Sequence, residues 1–133
     1  MIDTCAAIWL TAGDTVSPAA TTALDDAADL DRPVYVSPIT AWEIGMLVSK
    51  GRLTTLLPPD RWFDRFLSRS GARLADMRPA LLVASNFLPG KPPNDPADRI
   101  IAATARDLGA ALITRDRLLI AYGRQGHIRT IAC

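Results

Sequence analysis

The sequence predicts an α/β domain with a largely parallel sheet flanked by helices, on three observations. Short β-rich runs alternate with longer helical stretches along the whole chain, the order that yields parallel strands covered by helices. Several helical stretches carry their own start and stop residues. The 133 residues, 49% hydrophobic and 22% charged, suit a single folded domain able to bury a core without staples. No repeat, low-complexity tract or dividing linker interrupts residues 1–133, which are read as one unit.

The elements follow in order. "MID" is a first strand in which only Met1 and Ile2 precede Asp3, so either the strand is very short or the chain begins slightly late. Helices near 4–12 and 17–30 lead to the strand "VYVS". Ser37 as N-cap and Pro38 at the first helical position open a helix over 38–50, which Gly51 stops. Apolar residues surround much of that helix, so it is expected to be buried, Trp42 with it. An amphipathic helix over 59–70, the strand "ARLADM" and a helix over 78–87 come next. The stiff loop "PGKPPNDP", from Pro89 to Pro96, delivers the chain into a helix over 96–108. Asp95 is its cap, Pro96 its first residue and Gly109 its stop. The strand "ALIT", a helix near 116–122 and the strand "IRTIA" complete the chain.

Composition excludes several classes. No apolar run approaches the ~18 residues that span a bilayer, and the N-terminus lacks a signal-peptide pattern. Cys5 and Cys133 lie far apart in sequence with no metal-like spacing, so they read as reduced thiols of a cytoplasmic protein. Net charge is +1, which favours no particular partner. Aspartate outnumbers glutamate 13 to 1, and arginine outnumbers lysine 13 to 2, a bias that a GC-rich genome also produces. The solitary glutamate, Glu43, is the one to locate.

Four acids stand in unusual places. Asp98 shares a helical face with Ile101, Ala102 and Ala105, the side that should meet the core. A first-turn carboxylate also favours the helix dipole, so a capping role competes with a functional one. Glu43 projects between Ile39 and Leu47, where an arginine partner is the ordinary alternative. Asp3 and Asp116 end strands, where ligands bind in open α/β sheets and where N-caps also fall. Together they say more than singly. Helix starts follow the carboxyl ends of parallel strands, so all four can reach one edge. There they would repel one another unless protonated or neutralised by a cation. Mg²⁺ or Mn²⁺ suits carboxylate oxygens, whereas one histidine and two distant cysteines make a poor zinc site. Such ions activate water and offset charge on a scissile phosphate.

At this point four blocks, "IDT", "SPITAWEIGMLVSKGRL", "LPGKPPNDPADRIIAATA" and "ALITRD", resemble a PIN domain in order and spacing. More narrowly, they resemble the VapC-type toxin ribonucleases of bacterial toxin–antitoxin pairs. The likeness spans nearly the whole chain and is least informative from Thr54 to Arg78. It implies an α/β/α sandwich and a Mg²⁺- or Mn²⁺-dependent endoribonuclease whose four acids fall on Asp3, Glu43, Asp98 and Asp116. Thr114 matches a supporting Ser/Thr of the family, and Thr4 matches as well. The resemblance further implies a homodimer and a VapB-like antitoxin whose C-terminal segment occupies the active-site groove. Relatives commonly have several apolar residues before the first Asp, against two here. Where they often read "HxDPFDR", this chain reads "PNDPADR", which alters packing or substrate choice and leaves the acid in place.

On this reading Asp3, Asp98 and Asp116 ligate a metal, and Glu43 positions a second ion or orients the attacking water. Setting the four acids aside leaves 15 basic and 10 acidic side chains. Arg99, Arg115 and Arg117 border the motifs and are candidates for RNA phosphate, with solvated or paired surface arginines as the alternative. Trp62 and Phe66, with Phe63, form a face that meets the antitoxin, a second subunit or the chain's own sheet. His127 has no partner motif and reads as surface or structural. The runner-up function is a catalytically weak PIN-like module that binds RNA or protein. An aspartyl phosphatase or phosphoacceptor domain also uses an early strand-end Asp. It wants a second Asp two residues later or a supporting lysine, and the chain reads "DTC" with only Lys50 and Lys91.

Overall fold

The middle of the sheet is a single residue. In the computed structural model, which describes all 133 residues, Ile2 bridges in parallel to Val36 on one side and to Ile113 on the other. The outer strands are β1 (Tyr35–Val36), β2 (Arg73–Leu74), β3 (Ala111–Thr114) and β4 (Arg129–Ala132). Tyr35 pairs with Arg73 and Val36 with Leu74, while Ala111 to Thr114 pair with Arg129 to Ala132, all in parallel. The order across the sheet is therefore β2, β1, the Ile2 bridge, β3, β4. Backbone hydrogen bonds from Ile2 N–H to Tyr35 (2.9 Å) and from Asp3 N–H to Ile113 (3.1 Å) set the register, so one bridging residue suffices to place Asp3 at the sheet's carboxyl edge.

The helices are α1 (Thr4–Ala12), α2 (Pro18–Asp29), α3 (Ile39–Ser49), α4 (Pro59–Ser70), α5 (Pro79–Ala84), α6 (Pro96–Asp107) and α7 (Arg117–Arg124). Strand alternation sends neighbours to opposite faces. Ile2 and Ile113 join Ala6, Ala7, Ala20, Phe63 and Phe66 under α1, α2 and α4. Met1 and Leu112 join Ile101, Ala102, Ala105, Leu119 and Tyr122 under α6 and α7. Each fully buried aliphatic side chain contributes roughly 1.5–3 kcal/mol. The result is the expected α/β/α arrangement, and no helix is long and apolar enough to cross a membrane.

Three expectations change. The helix over 78–87 is α-helical only to Ala84 and tightens to a 3₁₀ turn over Ser85–Phe87. There the Ser85 hydroxyl and the Asn86 amide both donate to the Leu82 carbonyl, competing with the α-helical ladder. Ser37 is a weak cap for α3. Its hydroxyl accepts from Ile39 N–H only at 3.4 Å, and Pro38 already has helical dihedrals. Finally, α3 is not buried all round. Only Thr40 and Ile44 are buried, and Trp42, expected in the core, is 59% exposed. The geometry explains this: α3 packs on α1, α4 and α6, and Trp42 lies about 200° round the helix from Thr40.

Candidate active site

Asp3 leaves the sheet edge 2% exposed and caps α1, accepting from Ala6 N–H at 2.7 Å through Oδ1. Its other oxygen, Oδ2, accepts the Thr114 hydroxyl. Thr114 ends β3 with no solvent exposure, and its oxygen accepts in turn from Asp116 N–H at 2.9 Å. One hydroxyl thus ties two of the acids together. Asp116 caps α7 through Oδ1, which accepts from Leu118 N–H (2.8 Å) and Leu119 N–H (2.9 Å). Both strand-end aspartates are therefore true N-caps, and capping engages only one oxygen of each.

Glu43 comes from α3 and is held by the Thr4 hydroxyl at the start of α1. Thr4 and Thr40 share a hydroxyl–hydroxyl hydrogen bond of 3.1 Å. Thr40 was not singled out in the sequence; its one signal is its place three residues before Glu43, on nearly the same helical face. Asp98 stands in the first turn of α6 behind Asp95, whose Oδ1 accepts from Ala97 N–H at 2.8 Å and Asp98 N–H at 3.4 Å. The Asp98 carboxylate itself makes no hydrogen bond.

Asp3, Glu43, Asp98 and Asp116 lie within electrostatic reach of one another. Burial raises Asp3 to about 6, with the Thr114 and Ala6 hydrogen bonds opposing and Asp116 adding repulsion. Burial likewise raises Asp98 to about 7, helped by repulsion from Asp116, Asp95, Glu43 and Asp3. Glu43 is raised by burial against the pull of Thr4, with Asp95, Asp3 and Asp116 repelling it. The Cys5 thiol beside them is pushed up to about 12 by desolvation and then by all four acids.

No cation answers this charge. The only ion pair in the chain joins Arg78 to Asp107 at 2.7 Å, so the arginine partner considered for Glu43 does not exist. Arg99 donates instead to the carbonyls of Ser85 and Asn86, each at 3.0 Å. Arg115 donates to the carbonyls of Cys133 (2.6 Å) and Thr15 (2.9 Å) and lies 3.4 Å over the Trp9 ring. Of the three arginines named from the sequence, Arg117 alone is exposed without such engagement. Trp62 stacks on Phe66, and Phe63 and Phe66 are buried against the chain's own sheet. The donor set is all hard oxygen, unpaired and mutually repelling, which fits Mg²⁺ or Mn²⁺. No three of the groups stand close enough here to enclose an ion.

A parallel sheet in this order, with acids outside any ion pair at its carboxyl edge, is the arrangement that the resemblance to a PIN domain implied. The PIN domain family matches residues 1–125, and the chain belongs to it. It is similar to Ribonuclease VapC22 of Mycobacterium tuberculosis (strain ATCC 25618 / H37Rv), with 31% identity over 120 residues, 90% of this chain and 88% of that protein. The fold is similar to that of a chain in the crystal structure of VapBC2 from Rickettsia felis bound to a DNA fragment from their promoter. There the TM-score is 0.65 at 19% identity, covering 99% of this chain and 98% of that one.

Proposed function

We propose that this protein is a Mg²⁺- or Mn²⁺-dependent endoribonuclease toxin of a VapBC-type pair, held inactive by a cognate VapB-like antitoxin and assembled as a homodimer. The observation that carries the reading is the unpaired four-acid cluster, in a chain 31% identical to Ribonuclease VapC22. Asp3, Asp98, Asp116 and Glu43 are the residues that would hold the metal. When bound, the metal supplies positive charge at the scissile phosphate and activation of water.

The chain's own residues do the rest. Thr114 fixes the Asp3 carboxylate and the Asp116 backbone relative to each other. Thr4 fixes Glu43, which would position a second ion or orient the attacking water. Arg117, beside Asp116 and exposed, is the best placed of the named arginines to meet RNA phosphate. Arg99 and Arg115 each spend Nε and Nη2 on backbone carbonyls, which leaves Nη1 for any phosphate contact. Hydrolysis in this manner leaves a 3′-hydroxyl and a 5′-phosphate.

The test is cleavage of total cellular RNA by antitoxin-free protein with Mg²⁺, Mn²⁺ or EDTA, beside a natively folded Asp98→Asn variant. Metal-dependent cutting that the variant loses supports the nuclease, and product sequencing then names the target. No cutting with either metal, or cutting that the variant retains in full and that then belongs to a contaminant, removes the reading in favour of a binding module.

A further inference from the structure

The loop that delivers Asp95 and Asp98 is held by side chains alone. No backbone-to-backbone hydrogen bond reaches residues 89–94. Tyr122, fully buried on α7, donates its hydroxyl to the Pro89 carbonyl at 2.9 Å. Gln125, the C-cap of α7, uses both ends of its amide on Lys91. It accepts from Lys91 N–H at 2.9 Å and donates to Lys91 C=O at 3.2 Å. Between these two grips the chain turns at Gly90, where φ is +70°. Glycine is favoured there by conformation, and a Cβ, 2.3 Å from His127 Nε2 and 2.7 Å from Gln125 Oε1, would push both side chains aside. The His127 ring packs 5.3 Å from Tyr122, and Arg106 of α6 donates to the His127 carbonyl at 2.9 Å.

α7 is thus anchored at both ends. Its N-cap is Asp116, and its C-cap grips Lys91, four residues before Asp95. Eight helical residues span about 12 Å. Pro92 and Pro93, the latter buried, stiffen the stretch between, so a shift at Lys91 passes to the start of α6 rather than being absorbed. We propose that Gln125 is a positioning residue: through Lys91 it sets the approach of Asp98 to Asp116, and with it the affinity of the acid cluster for a divalent cation. This rests on the metal-dependent reading above.

The test is Mn²⁺ binding by isothermal titration calorimetry on the purified full chain, with RNA cleavage kinetics alongside. Gln125 is exposed, so Gln125→Ala should fold. It is expected to bind Mn²⁺ about threefold more weakly, less than the ~10–100-fold lost when a group bonded directly to a metal ligand is removed. Its kcat should fall with KM for RNA unchanged. Gln125→Glu keeps an acceptor for Lys91 N–H but loses the donor to Lys91 C=O, and should lie between. Unchanged Mn²⁺ affinity in Gln125→Ala, with or without a lowered Tm, overturns the proposal and leaves the nuclease standing. Failure of the unmodified protein to bind Mn²⁺ overturns the metal reading itself, and the proposal with it.

Discussion

Replacing Asp98 with asparagine should stabilise the metal-free protein at pH 8, although it removes an acid from the site. Folded Asp98 holds its proton to about pH 7, whereas the unfolded chain releases it near the ordinary value of 3.8. The folded state therefore binds more protons across that window. Stability falls as pH rises from about 4, and the loss is complete above about 7. Each tenfold change in acidity is worth about 1.4 kcal/mol, so the full gap corresponds to about 4 kcal/mol. The carboxylate is only partly buried and water screens it, which roughly halves the figure to about 2 kcal/mol. Asparagine also forfeits the attraction between a first-turn carboxylate and the helix dipole, about 0.3–1 kcal/mol. The net gain is about 1–1.7 kcal/mol. With an unfolding entropy of ~2.1 cal/mol/K per residue, that raises Tm by about 4–6 °C in a chain of this length.

The assay is thermal unfolding by circular dichroism of both proteins in EDTA at pH 8, 5.5 and 4, repeated with Mn²⁺ at pH 8. The advantage of Asp98→Asn should be largest at pH 8 and gone near pH 4. Mn²⁺ should lift the unmodified protein above the variant, because an ion that binds only the folded state stabilises it. A variant that melts lower than the parent in EDTA at pH 8 would show Asp98 to be a structural first-turn acid, and the reasoning would fail.

Three further outcomes are expected. Thr114→Val removes both the donor to Asp3 and the acceptor for Asp116 N–H at a fully buried position. It should cost about 1–3 kcal/mol in urea unfolding, and an unchanged midpoint would mean the bridge contributes nothing. Glu43→Gln keeps an acceptor for the Thr4 hydroxyl, so it should fold normally and lose RNA cleavage; a full cleavage rate would take Glu43 out of the site. Trp42→Ala should cost less than about 1 kcal/mol and Ile44→Ala about 2–5 kcal/mol by the same unfolding assay. The reverse order would place the buried face of α3 on the wrong side.

How far the sequence carries depends on whether a feature is local. The limits of α6 are legible because Asp95, Pro96 and Gly109 act within a turn of where they stand. The placing of Asp3, Glu43, Asp98 and Asp116 within electrostatic reach of one another is legible because parallel topology sends strand ends and helix starts to one edge. Trp42 is misplaced from sequence because hydrophobicity says what a side chain prefers and not whether a neighbour reaches it. The carbonyl engagement of Arg99 and Arg115 is illegible in the sequence for a related reason. Their carbonyl partners lie 13 to 100 residues away along the chain, and nothing in the flanking residues announces them. Thr40 and Gln125 escape notice because a lone polar residue has too many ordinary uses.

The same arginines explain why the acidic cluster has no internal counter-charge. Three of the four acids sit at helix N-termini: Asp3 and Asp116 as caps, Asp98 in a first turn. Helix dipoles favour carboxylates there by about 0.3–1 kcal/mol each, which helps the fold tolerate them together. That is too little to restore ordinary acidity, since Asp3 and Asp98 remain raised to about 6 and about 7. A guanidinium would supply the missing charge, and the sequence sets one directly after Asp98 and one directly before Asp116. Both are engaged by backbone carbonyls instead, and Arg115 is further held over Trp9. An internal arginine pair would lower the acids' pKa values and satisfy the site. Keeping those arginines occupied leaves the carboxylates short of positive charge, and that deficit is what the proposed divalent cation would answer.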